Sequence, residues 1–94
     1  MTATDLPLAG VRVVEFCHVI MGPTCGMILG DLGADVIKVE PAPNVDNTRR
    51  MIGTGSGFFA TYNRNKRSLA LDMKTPEGME IAKKLIASSD VLTE

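Results

Sequence analysis

Two β-branched apolar runs with a helix-like segment between them limit the fold of this chain more than any other feature. The first is Val11-Arg12-Val13-Val14-Glu15-Phe16, bounded by Gly10. The second is Ala34-Asp35-Val36-Ile37-Lys38-Val39-Glu40, stopped by Pro41 and Pro43. Short runs of this kind read as strands. Apolar character is nearly continuous from Val13 to Met21, which suits a strand covered on both faces. Between the runs, Gly22-Pro23 is a helix start signal, with Gly at the cap and Pro at the first helical position. Cys25, Ile28, Leu29 and Leu32 recur at helical spacing and predict one apolar face. Gly33 is expected as a left-handed cap. Strand, helix and strand in about thirty residues make a βαβ unit with a parallel, right-handed connection.

Gly22, Gly26 and Gly30 fall four apart and form a smooth stripe on that helix. For Gly26 and Gly30 the stripe predicts close packing on the sheet. Gly22, at the helix mouth, is the better candidate for ligand contact.

The rest of the chain continues the α/β pattern. Residues 1–9 read as a lead-in and 41–57 as a mobile loop. The glycines from Gly53 to Gly57 match neither a Walker A loop nor a dinucleotide fingerprint. Residues 58–63 carry three of the four aromatic side chains and suggest a short helix plugging the core. Ser68–Asp72 reads as a third strand. A helix follows from Thr75 to Ser88, with Met79, Ala82, Leu85 and Ile86 on one face and Glu80, Lys83 and Lys84 on the other. Asp90–Thr93 reads as a fourth strand. An open parallel sheet of this size exposes an edge and an uncovered face. The expectation is therefore a fragment of a longer α/β protein.

Composition narrows the function classes. The 94 residues carry a net charge of −1, so no global field draws the chain to nucleic acid or to an anionic membrane. No apolar run is long enough to span a bilayer, and Met1–Asp5 lacks the features of a signal peptide. A cytoplasmic protein is the expectation. Cys17, Cys25 and one His are too few for a zinc site and are expected to be buried thiols and a lone imidazole.

Ligands of βαβ units bind beyond the carboxyl ends of the strands. The candidate loops are Cys17–Gly22 and the start of Pro41–Asn44. A third candidate is Lys74, just before the helix that opens at Thr75-Pro76. Helix N-termini carry a partial positive charge, and a lysine there adds to it, which suits a bound anion. The plainer reading is a solvated lysine in a βα loop. Arg64, Lys66 and Arg67 beside Tyr62 could form a small nucleic-acid patch, but the acidic balance and scarce aromatics argue against it.

Taken in order, several stretches resemble the amino-terminal segment of the class III CoA-transferases (the CaiB/BaiF type). They are Leu8–Glu15, Gly22-Pro23, Leu32–Glu40, Asn63–Asp72 and Lys74–Gly78. Phe16-Cys17-His18-Val19 and Asp72–Gly78 look most like the formyl-CoA:oxalate branch. The resemblance implies a Rossmann-like CoA-binding domain, an interlocked homodimer, and acyl-CoA and a small carboxylic acid as substrates. Coenzyme A would be a thioester substrate, with no covalently bound cofactor and no metal. Val19, Ile20 and Met21 would line the thioester end of the site, and Leu71, Asp72, Met73 and Lys74 the nucleotide end. Arg64, Lys66 and Arg67 would then support the pocket rim.

Two positions depart from the branch. Ile20 stands where the formyl-CoA:oxalate enzymes have Gln, and an aliphatic side chain cannot hydrogen-bond a carboxylate. Pro41 stands where relatives have a CoA-binding Arg, a role that would pass to Arg49 or Arg50. The resemblance implies an Asp nucleophile, but none of Asp31, Asp35, Asp46, Asp72 or Asp90 matches its motif. No catalytic residue is assigned; His18 could serve as an acid or base, or simply orient its loop. A racemase of the same family remains the alternative chemistry.

Overall fold

The computed structural model describes residues 5–94. Four parallel strands form one sheet in the order β3-β2-β1-β4. They are β1 (Arg12–Glu15), β2 (Asp35–Pro41), β3 (Lys66–Leu71) and β4 (Val91–Thr93). The helices are α1 (Met21–Asp31), α2 (Phe58–Tyr62) and α3 (Pro76–Ala87). The order reverses direction at β1, as in doubly wound Rossmann-like folds. The predicted parallel α/β architecture is the one observed. Among the described residues no helix is long and apolar enough to cross a membrane.

The two faces of the sheet differ. On one, Val14, Val39 and Leu71 pack with Ala82 of α3, with Phe16, Leu69, Met73 and Leu85 around them. On the other, Val13, Ala34 and Val36 pack with Leu8, Val11 and Leu29 of α1. Side chains alternate along a strand, so the residues that follow Val13 and Val36 on this second face are Glu15, Lys38 and Glu40. All three are buried. The α1 face is thus apolar near the amino ends of the strands and ionic near their carboxyl ends.

Helix α1 corrects the sequence reading in two ways. It starts at Met21, with Ile20 as its cap, so Gly22 and Pro23 lie inside the first turn. Pro23 is tolerated there because the first N–H groups of a helix have no intrahelical partner. The face laid on the sheet is also only partly the aliphatic one: Leu29 packs on it beside the buried Pro23 and Gly26, whereas Cys25, Ile28 and Leu32 are exposed. Over Glu15 the ionic side chains beneath α1 leave no room for a Cβ. A Cβ on Gly26 would lie 1.9 Å from Glu15 Oε1. Gly33, at φ +105°, closes the helix as expected.

Elsewhere the differences are smaller. In α3, Ala82 is buried and Leu85 packs on the core, but Met79 and Ile86 are exposed. Helix α2 has no buried residue, so its aromatics do not plug the core. Phe58 and Tyr62 meet edge to face, and Phe59 lies under the Arg49 guanidinium, 3.9 Å from its carbon. Residues 41–57 are tied down in their first half, where Asp46 and Thr48 are buried and Asn47–Arg50 forms a 3₁₀ turn.

Candidate functional site

Beyond the carboxyl ends of β1, β2 and β3 lies a cleft of about 710 Å³. Its first wall is Phe16, Cys17 and His18, its second runs from Val39 to Asn47, and its third is Leu71 to Lys74. Each wall is the segment that leaves a parallel strand, where α/β sheets bind ligands.

The third wall holds four of the predicted residues together, Leu71, Asp72, Met73 and Lys74. Local hydrogen bonds fix it. Asp72 Oδ1 accepts the Lys74 N–H at 3.1 Å, and the Asp72 carbonyl accepts the Thr75 hydroxyl at 2.8 Å. Thr75 caps α3, its Oγ1 accepting the Gly78 N–H at 3.1 Å. Gly78 is required here, because a Cβ would lie 1.9 Å from the Asp72 carbonyl oxygen. Lys74 makes no ion pair among the described residues. Glu77 in the first turn of α3 balances the helix dipole in part.

His18 lines the cleft and is exposed. Val19, Ile20 and Met21 do not line it; they stand beside the first wall as an exposed aliphatic lip, with Met21 at 87% exposure. Val19 has φ +74°, a left-handed conformation that strains a β-branched residue. Its N–H donates to Thr48 Oγ1 at 2.9 Å, which helps hold the turn. Gly22 does not contact the cleft either. It faces Cys17, whose Cβ would lie 2.4 Å from an added Cβ.

The basic residues of the 64–67 stretch do not support the rim. Arg64 pairs with Asp31 at 2.7 Å and Arg67 with Asp35 at 2.6 Å, at the end of α1 and the start of β2. These contacts lie at the opposite end of the strands from the cleft. Lys66 turns under α1 to Glu15, with Nζ also donating to the Pro23 carbonyl and to Asn63 Oδ1. Nor do Arg49 and Arg50 replace a cleft-facing arginine at Pro41. Arg49 is committed to Glu40, and Arg50 to the Asn44 carbonyl and Asn47 Oδ1.

Beneath the cleft lies a buried ionic cluster that the motif reading did not anticipate. Glu15 meets Lys38 at 3.3 Å and Lys66 at 2.9 Å. Lys38 also meets Asp46 at 2.9 Å. Glu40 accepts both Arg49 donors, the Asp46 N–H at 2.9 Å and the Ser68 hydroxyl. Three cations face three anions, so the cluster is neutral as a whole. Arg49 draws the Glu40 carboxyl down to about 2, against the opposing effect of burial. Burial works to raise Asp46, but the Thr48 N–H and Lys38 outweigh it and the net direction is down. For Lys66 burial wins over Glu15, and its ammonium is lowered. The sequence does hold a signal for this cluster. If β1 and β2 are covered on both faces, then Glu15, Lys38 and Glu40 are buried charges and each needs a partner.

The aspartates of residues 31–90 have structural partners. Asp31 binds Arg64 and Asn65, Asp35 binds Arg12 and Arg67, and Asp46 binds Lys38. Asp72 shapes its own turn, and Asp90 accepts the Arg12 N–H. Among the described residues no group of three or more His, Cys, Asp or Glu is placed to hold a metal.

Comparison with known proteins agrees with the α/β fold. The sequence model of CoA-transferase family III matches residues 8–94. The chain is 47% identical over 97 residues to the succinyl-CoA–L-malate CoA-transferase beta subunit of Chloroflexus aurantiacus, covering 99% of this chain and 24% of that protein. It is 47% identical over 91 residues to the formyl-CoA:oxalate CoA-transferase of Rhodopseudomonas palustris strain HaA2, covering 93% and 21%. A crystal structure of a hypothetical protein from Mycobacterium tuberculosis superposes with a TM-score of 0.87 at 36% identity, covering 95% of this chain and 25% of that one. The chain thus spans about a quarter of the length of the proteins it matches.

Proposed function

This chain belongs to CoA-transferase family III, and from that premise we propose that it supplies the CoA-binding segment of an enzyme that moves coenzyme A between small carboxylic acids. One observation carries the reading: the cleft at the carboxyl ends of three parallel strands, with the Lys74 ammonium, unpaired among the described residues, at its rim beside the N-terminus of α3. Coenzyme A carries several phosphate charges, and a cation next to unpaired helix N–H groups suits such a ligand. Leu71 and Met73 offer apolar surface beside it.

In this reading a carboxylate attacks the acyl thioester, giving a mixed anhydride and releasing the CoA thiolate. The thiolate then attacks the enzyme's own carboxyl carbon in that anhydride, so the donor acid leaves and an enzyme–CoA thioester remains. The acceptor carboxylate attacks this thioester, and the thiolate it releases attacks the acceptor's acyl carbon, giving the new CoA thioester and restoring the enzyme carboxylate. The nucleophilic Asp, in this reading and as the family resemblance implies, lies outside these 94 residues. The working enzyme is an interlocked homodimer in the cytoplasm. The two relatives named above are equally similar but differ in the acids of their names. The lip around Ile20 offers no side-chain hydrogen bond to a carboxylate. That favours an acyl group with a methylene stem, such as succinyl, over formyl or oxalyl.

The test combines calorimetric titration with CoA and acyl transfer from succinyl-CoA to a panel of acids, followed by mass spectrometry. The expected result is CoA binding that weakens at least several-fold in Lys74→Ala, together with transfer to a dicarboxylic acid. Absence of CoA binding by the wild-type protein sinks the reading. Exchange of the α-proton for deuterium without transfer replaces it with racemisation.

A further inference from the structure

The buried ammonium of Lys38 has no part in the chemistry above, yet it is joined to both of the first two cleft walls. It leaves the middle of β2 on the α1 face and is 2% exposed. Its ammonium donates two hydrogen bonds and makes one further ion pair. The Cys17 carbonyl, at 2.6 Å, belongs to the first wall. Asp46 Oδ2, at 2.9 Å, belongs to the second. Glu15 Oε2, at 3.3 Å, is the anchor in β1 beneath them.

A second tie runs between the same walls. Asp46 Oδ1 accepts the Thr48 N–H at 2.8 Å, and Thr48 Oγ1 accepts the N–H of Val19 at 2.9 Å. The strained Val19 turn and the loop after β2 are therefore held at one separation from below. Stability alone does not call for an ion here, since a well-packed apolar side chain often does as well or better than a buried ion pair. An apolar side chain could not bind a carbonyl on one wall and a carboxylate on the other.

We infer that Lys38 is a positioning residue for the acyl-CoA cleft, setting the spacing between the turn after β1 and the loop after β2. This rests on the CoA reading given above. The position of the first wall decides where the Val19–Met21 lip meets the acyl end of the substrate. Small displacements of such groups weaken productive binding strongly.

The experiment uses the full-length enzyme carrying Lys38→Met, Lys38→Arg or Thr48→Val. Circular dichroism confirms folding, and KM is measured separately for acyl-CoA and for the acceptor acid. In Lys38→Met the expected result is a rise in acyl-CoA KM of about tenfold or more, with acceptor KM changed by less than about twofold. Lys38→Arg, which keeps the charge, recovers part of the loss. A folded Lys38→Met enzyme with unchanged acyl-CoA KM, or with both KM values raised equally, overturns the inference. If Lys38→Met does not fold, Thr48→Val decides: it severs the second tie and keeps every charge. A selective, smaller rise in acyl-CoA KM supports the inference, and no rise overturns it. Wild-type enzyme that fails to bind CoA overturns the functional reading, and the inference with it. Wild-type binding with unaltered variants overturns the inference alone.

Discussion

Glu40 and Arg49 close on each other through two parallel hydrogen bonds, Nε to Oε1 and Nη2 to Oε2, both 2.8 Å long. The carboxylate is fully buried, whereas the guanidinium is 36% exposed. The same guanidinium stacks on Phe59 of α2. One arginine thus joins β2, the 3₁₀ turn at Asn47–Arg50 and α2. Removing it leaves a buried carboxylate without its main partner. For Arg49→Met we expect a loss of about 2–3 kcal/mol in unfolding free energy, set toward the low side because Arg49 is partly exposed. Lysine at this position should recover only part of that loss, because an ammonium cannot make the paired contact. Urea denaturation of the three proteins checks both statements.

The Glu40 pair also predicts how stability depends on acid. Its carboxyl lies at about 2 in the folded protein against an ordinary value of 4.5. A carboxyl lowered on folding contributes stability that is fully present above its unfolded value and is lost as pH falls through the folded one. Glu40 therefore stabilises the fold above about pH 4.5, and that contribution fades from there down toward pH 2. Asp46 and Asp31, both lowered, act in the same direction. Thermal unfolding measured from pH 6 to pH 3 should show a falling Tm. Glu40→Gln should start from a lower Tm and lose less of it over that range. Parallel curves for the two proteins would contradict the assignment.

Two glycines of α1 should respond differently to alanine. At Gly26 the new methyl would lie 1.9 Å from Glu15 Oε1 and 3.2 Å from Lys66 Cε, and two lysines hold that carboxylate in place. At Gly30 the nearest atom is the Asn65 carbonyl oxygen at 3.1 Å, which requires only a small shift. Alanine adds helix propensity of about 1 kcal/mol at either site. Gly26→Ala should nonetheless lose about 1–3 kcal/mol through overpacking. Gly30→Ala should lie close to wild type, and comparing the two midpoints in denaturant decides the matter.

The turn that carries Lys74 depends on Thr75. Its hydroxyl donates to the Asp72 carbonyl and accepts from the Gly78 N–H. Thr75→Ala removes the cap and should cost about 1 kcal/mol of stability. Thr75→Ser keeps the oxygen and should restore most of it. On the CoA reading, affinity for CoA should fall and return in step with stability across the pair, as measured by titration.

Much of the architecture was legible because it follows from short-range patterns. The β-branched runs around Val13 and Val36 mark β1 and β2. Thr75-Pro76 marks the start of α3, and Gly33 the end of α1. Leu71 to Lys74 could be placed on a strand-end loop for the same reason. The burial of α1 was misread because periodicity shows where apolar residues recur and cannot show which side meets the sheet. Its contact side is Pro23, Gly26 and Leu29, with Gly26 required by the ionic groups below.

Local sequence thus determined the strands, the start of α3 and the end of α1, the parallel connections and the end of the sheet at which a ligand can sit. Tertiary structure decided which charges meet. Lys66 finds Glu15 across 51 positions, and Lys38 finds the Cys17 carbonyl across 21. The reason is physical: a buried charge must have a partner, but its choice depends on which side chains the register of neighbouring strands places side by side. Glu15 faces Lys38 because β1 and β2 pair in that register, and it is from this pairing that the two walls of the cleft are held.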